Sequence, residues 1–282
     1  LVTYNMIIWL SSYPKSGNTY IRSFLSAYYF TNDGEFDFNL LRYIEQFPDK
    51  QFFNGFVESK ESASKKWLPL QREMVKSKKI KFLKTHSAYG SYDKNPFTTP
   101  ETTIGGIYIV RDPRNVLSSL MNHFSLKKEE ALAMLLDENR AIKSKDNNYA
   151  TFTFLSSWSN HLKSWSNIKS FKTILIKYED LEKDSENIFK NLIQFVNKLL
   201  NNNQGIDYQK FNKALETTKF NFLKKKEKEK GFKEAMFSEE KDEKIPFFNL
   251  GFKSHWKDNL NKEIIKEIES KFQKEMKELK YL

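Results

Sequence analysis

Short apolar runs and stretches with helical spacing alternate along most of this chain. The apolar runs are short enough to be buried strands, and they cover residues 6–10, 80–85, 107–110 and 173–176. Between them apolar residues recur every three or four positions, as is typical of helices that bury one face, over 19–30, 113–124, 150–168 and a stretch through Leu192 and Phe195. This alternation predicts an α/β fold with a central parallel sheet flanked by helices on both faces.

The pattern predicts one domain over residues 1–282, because no Pro-, Gly- or Ser-rich linker and no internal repeat divides the chain. The highly charged segment 220–250 contains few apolar residues, and we expect it to be mobile. Residues 261–282 have the spacing of an exposed amphipathic helix at the end of the chain.

Composition narrows the class of protein. The sequence contains no cysteine, which excludes a disulfide framework, thiol catalysis and a Cys-ligated metal. It has no apolar run of about 18 residues or more and no basic-then-apolar signal pattern at its start. We therefore expect a cytoplasmic protein without a membrane partner. Its carboxylates show no metal-ligand spacing, so we expect no metal.

The net charge of +11 predicts a polyanionic partner. Part of this charge is compositional, because mixed runs such as residues 224–230 are typical of solvated helix faces. No zinc-finger spacing, RNP-like aromatic motif or long basic arm is present, so we expect no nucleic-acid partner. A nucleotide with several phosphate or sulfate groups fits the charge better.

The loop after the first strand carries the strongest chemical signal. Residues 13–20 read YPKSGNTY and lead from the strand into the next predicted helix. Backbone N–H groups, hydroxyls and the Lys15 ammonium are directed towards one place, at a helix N-terminus that favours anions. The loop is not that of a nucleoside-triphosphate P-loop, in which the lysine follows the second glycine, because here Lys15 precedes Gly17.

Two further strands end in polar residues, and ligands of parallel sheets bind outside these ends. Lys84 and His86 follow one strand and Arg111 follows another. An imidazole can take a proton near neutral pH, and a guanidinium can bind phosphate bidentately. The structural alternatives are an Arg111 paired with Asp112 or a helix carboxylate, and a histidine that is hydrogen-bonded at a turn. We expect the latter for the remaining histidines, His123, His161 and His255.

These segments resemble the cytosolic sulfotransferases. Residues 13–20 are similar to the family's 5′-phosphosulfate loop, usually YPKSGTTW, with Asn18 for Thr and Tyr20 for Trp. Residues 108–119 resemble the 3′-phosphate motif, whose arginine and serine are here Arg111 and Ser119. Residues 84–86 match the K-T-H segment, in which the histidine is the general base.

Weaker similarities follow along the chain. Residues 178–180 resemble the family's Y-E-D, and residues 218–220 its adenine-holding T-x-F. Residues 251–257 resemble the segment that closes over the 3′-phosphate, but Asn249 and Leu250 replace its Arg-Lys pair and Ser254 its second glycine. Lys253 is the candidate for the missing charge.

The resemblance implies a P-loop-like nucleotide-binding architecture and a transfer of sulfuryl from 3′-phosphoadenosine 5′-phosphosulfate (PAPS) to an acceptor hydroxyl, which leaves adenosine 3′,5′-bisphosphate (PAP). The acceptor would be a small alcohol, a phenol or a glycan. The catalytic residues it implies are His86, Lys15 and Lys84. The nucleotide-binding residues it implies are Lys15, Ser16, Gly17, Asn18, Thr19, Tyr20, Arg111, Ser119, Tyr178, Thr218, Phe220, Gly251 and Lys253.

Two other functions stay open at this point. A P-loop kinase on a related fold needs a strand-end carboxylate for magnesium, for which Asp112 is the available residue. A polyanion-binding protein would use the Lys-rich surface alone. Residues 31–79 and 87–104 are expected to shape the acceptor pocket, and their aromatic content suits a phenol, a lipid-like alcohol or a stacked sugar equally. The sequence does not indicate the oligomeric state.

Overall fold

A computed structural model describes residues 6–77, 79–144, 146–238, 243–248, 251 and 256–282. Its strands in chain order are β1 (Ile7–Ser12), β2 (Ile44–Gln46), β3 (Lys81–Thr85), β4 (Ser91–Tyr92), β5 (Asn95–Pro96), β6 (Thr103–Val110), β7 (Ala141–Ile142), β8 (Thr153–Phe154), β9 (Lys172–Lys177), β10 (Met236–Ser238) and β11 (Glu243–Ile245).

A parallel sheet of five strands organises the fold, in the order β2-β3-β1-β6-β9. The central strand β1 is buried along its whole length, as expected for a parallel strand covered on both faces. The predicted α/β class with a central parallel sheet is confirmed. β4–β5, β7–β8 and β10–β11 form small antiparallel pairs outside this sheet.

The α-helices flank the sheet. They are α1 (Asn18–Phe30), α2 (Lys60–Val75), α3 (Pro113–Phe124), α4 (Lys128–Leu136), α5 (Trp158–Ser166), α6 (Tyr178–Leu199, interrupted at Asp184), α7 (Tyr208–Thr217), α8 (Phe220–Lys230), α9 (Trp256–Asn259), α10 (Lys262–Lys271) and α11 (Gln273–Glu278). Short 3₁₀ helices span Phe38–Tyr43, Lys50–Phe52 and Tyr149–Thr151.

Two apolar cores cover the two faces of the sheet. On one face α1, α6 and α7 pack together, with Phe24 stacked on Phe189 at a centroid distance of 3.9 Å. On the other face α2, α3, α5 and the C-terminal helices bury Trp67, Trp165 and Phe272, among others. Helices on both faces leave only the ends of the strands open to ligands. Among the described residues, no helix has both the length and the apolar character needed to cross a membrane.

Two of the expected helices differ in the structure. The stretch 150–168 is helical only over α5, because residues 149–154 form a 3₁₀ turn and the strand β8. The C-terminal residues form two helices, α10 and α11, which meet at Phe272, rather than one exposed helix. Their apolar face is in the core: Ile268 and Met276 are fully buried. An amphipathic pattern is typical of any helix that packs its apolar face on a core. Here the apolar faces of α10 and α11 pack on the core that covers one face of the sheet.

The segment 220–250, which the sequence predicts to be mobile, contains helix α8 and the strands β10 and β11. Its few apolar side chains are widely spaced but well packed. Leu223, Phe232 and Phe248 are buried against the core that α1 and α6 form. This segment covers one side of the cleft described next.

Candidate active site

A cleft of about 1010 Å³ opens at the carboxyl ends of the parallel strands. It is lined by the β1–α1 loop, by His86 after β3, by Arg111 after β6 and by Tyr178 after β9. Ligands of parallel sheets bind at this edge, and the volume is at the upper end of the usual range for ligand pockets. The three strand ends that the sequence singled out therefore meet in one site.

The β1–α1 loop has a backbone that depends on glycine. Lys15 and Gly17 both lie in the left-handed region, with φ of 66° and 93°. A Cβ atom on Gly17 would lie 2.2 Å from Cδ2 of Tyr178, which no real side chain tolerates. Gly17 thus lets the Tyr178 ring close against the loop from the start of α6.

The N-terminus of α1 is left open to an anion. Its N-cap residue, Gly17, has no side chain to cap the helix, and the first turn carries no acidic residue. Free N–H groups and the helix dipole favour a negative charge there. The Ser16 hydroxyl is buried without a hydrogen-bond partner in the described part of the chain. A buried hydroxyl usually has a partner, and an oxyanion bound in this loop would supply one.

Asn18 holds the loop to the sheet through its amide nitrogen, while its Oδ1 is buried without a hydrogen-bond partner among the described residues. Its Nδ2 donates to the carbonyl of Leu10 and to Oγ of Ser12, both at 3.2 Å. Thr19 and Tyr20 line the cleft beside it. The Tyr20 ring meets Phe189 edge-on at 5.4 Å, and burial raises the pKa of its hydroxyl to about 12.

Arg111 is directed at the loop and not at a carboxylate. Its Nη1 donates to the carbonyl of Lys15 at 3.1 Å, and its guanidinium lies 4.5 Å from the centroid of the Tyr178 ring. Its Nε is buried without a partner among the described residues. Asp112 instead binds Arg114, with 2.6 Å between Nη2 and Oδ2. The alternative in which Arg111 pairs with Asp112 is therefore not what the structure shows, and Arg111 retains a donor for an anion.

Lys15 is a buried cation that lies against an aromatic ring of the cleft. Its Nζ lies 4.3 Å from the centroid of the Phe247 ring. Burial, with Arg111 and then Lys84 as the next causes, lowers the pKa of Lys15 to about 7. The charges of Glu234 and Glu227 offset this lowering only in part, so an anion bound beside Lys15 would stabilise its protonated form.

His86 is fixed in one tautomer. Its Nδ1 lies 2.7 Å from the carbonyl oxygen of Ser12, which can only accept, so Nδ1 carries the proton. Nε2 then keeps the lone pair that a general base needs. Burial, and then the charge of Lys84, lowers the pKa of His86 to about 3, so that the ring is neutral at pH 7.

His161 positions the backbone of His86 from the core. Its Nε2 lies 3.1 Å from the His86 carbonyl and its Nδ1 lies 3.0 Å from the Tyr108 hydroxyl. Nε2 therefore donates, Nδ1 accepts from the tyrosine, and burial lowers the pKa of His161 to about 4. His161 is a buried, hydrogen-bonded histidine, but it lies within helix α5 and not at the turn that the sequence predicts. His123 differs from the prediction, because it lines the cleft; its ring meets Phe247 edge-on at 5.7 Å. His255 lies outside the described residues.

Glu234 is the principal site residue that the sequence analysis missed. Its carboxylate joins two buried cations: it accepts from Nη1 of Arg22 and from Nζ of Lys84, the latter at 3.2 Å. Burial lowers the pKa of Lys84, whereas the two cations hold the pKa of Glu234 at about 2, against the opposing effect of its own burial. Glu234 lies in the charged segment 220–250, where nothing distinguishes it from its neighbours in the sequence.

The same segment supplies aromatic side chains to the cleft. Phe220, Phe247 and Phe248 line it. The carboxylate of Glu227 accepts from the backbone N–H groups of Phe247 and Phe248 at 2.8 and 2.9 Å. Gly251, at φ 57°, lies so close to Phe220 that a Cβ would be 2.7 Å from the ring. Phe220 and Gly251, for both of which the sequence predicts nucleotide contacts, thus meet at the cleft.

The remaining predicted residues fall into three groups. Ser119 lines the cleft. The Thr218 hydroxyl is buried and donates to the carbonyl of Ala214 at 2.7 Å, and Thr218 is not among the described residues that line the cleft. Lys253 lies outside the described residues, as do Asn249 and Leu250.

Comparison with known proteins gives a consistent result. The family model described as "Sulfotransferase domain" matches residues 6–280. The luciferin sulfotransferase of Photinus pyralis is 24% identical over 214 residues, which are 70% of this chain and 52% of that protein. The chain thus spans about half the length of this curated relative.

Solved structures share the fold. Mouse sulfotransferase SULT7A1 complexed with PAP superposes with a TM-score of 0.52 at 18% identity, over 96% of this chain and 84% of that one. Retinol dehydratase, in complex with androsterone and the inactive cofactor PAP, superposes with a TM-score of 0.57 at 16% identity, over 98% and 83%.

Proposed function

The chain belongs to the sulfotransferase domain family, and on that basis we propose that it is a sulfotransferase that uses PAPS as donor and a hydroxyl compound as acceptor. The solved structures with a similar fold hold PAP, which supports a nucleotide of this type in the cleft. The observation that carries the proposal is a pair of anion positions in one site. One is the β1–α1 loop at the open N-terminus of α1, and the other is the partnerless Nε of Arg111.

Two anion positions are what a nucleotide phosphorylated at both the 5′ and the 3′ oxygen requires. The loop, with Lys15, Ser16 and Thr19, would hold the 5′-phosphosulfate end. Arg111 and Ser119 would hold the 3′-phosphate, and Tyr178 and Phe220 would contact the nucleoside. Thr218 and Lys253 stay predictions in this role.

Different residues of the chain would carry out the separate parts of the transfer reaction. PAPS, when bound, supplies the sulfuryl group. His86 takes the acceptor's hydroxyl proton on Nε2 as the new S–O bond forms and the bond between sulfur and the bridging phosphate oxygen breaks. Lys15 stabilises the negative charge that the departing phosphate gains, and Lys84 neutralises the sulfuryl oxygens. Positioning and preorganised charge then account for the rate.

The kinase alternative is less well supported. Asp112, the available strand-end carboxylate, is engaged with Arg114 at the start of α3. The fixed cations Lys15, Lys84 and Arg111 supply the charge that magnesium supplies in a kinase. Metal independence, a cytoplasmic location and a glycan acceptor stay predictions.

The donor assignment is tested by thermal unfolding with PAP and with adenosine 5′-phosphate. A ligand at 100 times its dissociation constant stabilises the folded state by about 2.7 kcal/mol. We expect a larger shift with PAP, because only PAP reaches both anion positions, and we expect Arg111→Ala to remove the difference between the two nucleotides.

Arg72→Ala is the matched control. Arg72 is half-exposed and pairs with Glu101 outside the cleft, so its loss should leave both shifts unchanged. Equal shifts from PAP and adenosine 5′-phosphate in the unmodified protein would refute the 3′-phosphate assignment.

A further inference from the structure

The wall of the cleft contributed by the first quarter of the chain is polar. It is built by the 3₁₀ helix Phe38–Tyr43, by β2 and by the 3₁₀ helix Lys50–Phe52. The residues of this region that line the cleft all have charged or amide-bearing side chains: Arg42, Glu45, Gln46, Asp49 and Gln51. We call these five residues the polar wall.

The phenylalanines of the same region face elsewhere. Phe36, Phe47 and Phe53 are buried in the two cores, Phe52 and Phe38 pack against these cores, and Phe56 is exposed. Among the described residues that line the cleft, none of these phenylalanines occurs, and none comes from residues 87–104. The aromatic residues of these two stretches are thus absent from the described lining of the cleft, whose aromatic side chains come from other segments: Tyr20, Phe124, Tyr178, Phe220, Phe247 and Phe248.

The polar wall adjoins the strand that carries the base. β2 pairs in parallel with β3, with Gln46 in register with Lys84. The N–H of Phe47 donates to the Lys84 carbonyl at 2.8 Å, two residues before His86. Side chains in register on neighbouring strands share a face of the sheet, so Gln46 lies beside Lys84. Glu45 and Asp49 line the same cleft as Gln46, Lys84 and His86.

Much of the hydrogen-bonding capacity of this wall is unused. No hydrogen bond or ion pair joins the side chain of Glu45 or Gln46 to another residue in the described part of the chain. Asp49 uses one oxygen to accept from the N–H of Gln51 at 3.2 Å. Two carboxylates and a carboxamide thus offer acceptors, and the amide also offers donors, to whatever lies beside the base.

We propose that the acceptor is a hydroxyl-rich molecule, a sugar or polyol, whose hydroxyls bind Glu45, Gln46 and Asp49 while one of them is sulfated. This rests on the proposed function: the reacting hydroxyl loses its proton to His86, gains the S–O bond and releases PAP. A phenol or long-chain alcohol would strip water from the polar wall without replacing the lost hydrogen bonds. Sites built to hydrogen-bond a hydroxyl discriminate strongly against analogues that lack it.

Pairs of acceptors that differ mainly in hydroxyl number test this. One pair is myo-inositol and cyclohexanol, and the other is p-nitrophenyl β-glucoside and p-nitrophenol. Initial rates with sulfur-labelled PAPS give kcat/KM for each compound. We expect the polyhydroxy member of each pair to be better by about tenfold or more. A higher kcat/KM for the single-hydroxyl member, or no transfer to any of the four while PAP still stabilises the protein, overturns the proposal.

Gln46→Leu tests the wall itself, since it keeps the size of the side chain and removes its polar atoms. We expect KM for myo-inositol to rise about tenfold with little change in kcat, and the values for cyclohexanol to stay or improve. Glu45→Leu repeats the test from the neighbouring position if Gln46→Leu fails to fold. Gln209→Leu on the exposed face of α7 is the matched control.

The outcomes separate this inference from the proposed function. Equal losses for both members of a pair in Gln46→Leu would show that the residue supports the fold and does not select the acceptor. A thermal shift with PAP in every variant shows that the donor site is intact. A protein that PAP fails to stabilise would refute the proposed function itself, and this inference with it.

Discussion

At the scale of single residues, the site depends on where protons reside. His86 donates from Nδ1 to a carbonyl and so keeps its lone pair on Nε2. Lys15, whose pKa burial lowers to about 7, is only partly protonated near pH 7. His86 thus offers a lone pair to a proton, and Lys15 would hold its own proton more tightly once an anion binds.

His86→Asn separates the base role from a positioning role. The asparagine amide can replace the Nδ1–H donor to Ser12, but it offers no basic nitrogen in place of Nε2. We expect turnover to fall about 10²-fold or more in both His86→Asn and His86→Ala, with PAP affinity nearly unchanged. Single-turnover rates and equilibrium binding measure the two quantities. An Asn variant with near-normal turnover would assign His86 a structural role only.

Lys15 should make nucleotide binding depend on pH. An anion beside the ammonium raises its pKa, so the protonated form binds, and affinity is greatest below pH 7. As pH rises through 7, the free protein loses the Lys15 proton, and we expect PAP affinity to fall by up to tenfold per pH unit until the pKa of the complex is reached.

Calorimetry in buffers of different ionisation enthalpy should show uptake of up to one proton per PAP bound at pH 8. Lys15→Arg keeps the charge at every pH and should abolish both the proton uptake and the decline in affinity. A wild-type affinity that does not change between pH 6.5 and 8.5 would contradict this interpretation of Lys15.

The sequence identified these two residues because each follows an apolar strand in a recognisable motif. It did not identify Glu234, whose role comes from Arg22 and Lys84, residues more than 140 positions away. Thr218 stays a predicted contact of the nucleotide, and its hydroxyl donates to the carbonyl of Ala214 in the last turn of α7. Motifs predict where a loop lies, but the direction of one side chain depends on packing that a linear pattern does not contain.

At the scale of elements, Tyr281, which follows the C-terminal helix α11, links the N-terminal ends of α3 and α6. The Tyr281 hydroxyl donates to Oε2 of Glu179 at 2.8 Å, and Oε1 of Glu179 accepts from the N–H of Asp112 at 2.9 Å. Arg114 Nη2 donates to the Tyr281 carbonyl at 2.9 Å. The end of the chain therefore supports α3 and α6, whose N-terminal residues border the cleft.

Tyr281→Phe should expose this coupling. It leaves an oxygen of the partly buried Glu179 carboxylate without its donor, and we expect this to cost about 1 kcal/mol of unfolding free energy. We expect a lower urea midpoint with an unchanged m-value. Tyr208→Phe, on an exposed ring of α7, should stay within about 0.5 kcal/mol of wild type. Equal free energies of unfolding for the two variants would show that the hydrogen bond from Tyr281 to Glu179 does not stabilise the fold.

The limits of a helix can be predicted from the sequence where a capping residue and a proline mark its start. The helix 113–124 was found at its observed limits, because Asp112 caps it and Pro113 begins it. The strand that the sequence predicts at 107–110 is shorter than the observed β6, because Gly105 and Gly106 weaken the strand signal before it. The two-residue strands were missed, because hydrophobic periodicity cannot be recognised over so few positions.

At the scale of the whole molecule, the fold class followed from the alternation of strands and helices, and the acceptor did not. Buried strands must be apolar along their length, so the central sheet is visible in sequence. The polar wall is made by short elements without periodicity, and whether their phenylalanines or their polar residues face the cleft is decided only when the sheet is assembled. The net charge of +11 is consistent with a cationic cleft but does not locate it.

The position of β2 in the sheet has a consequence of its own. It is a lateral strand, bonded on one side only, whereas β1, β3 and β6 are enclosed between neighbours. The strands that precede the loop, His86 and Arg111 are therefore each hydrogen-bonded on both sides. The polar wall, in contrast, is carried by an edge strand and the short helices beside it. Within residues 42–51, Ile44 and Phe47 are fully buried and belong to the core. The five residues of the polar wall are not part of that core, so their side chains can change, and with them the acceptor, while the strands at the centre of the sheet stay as they are.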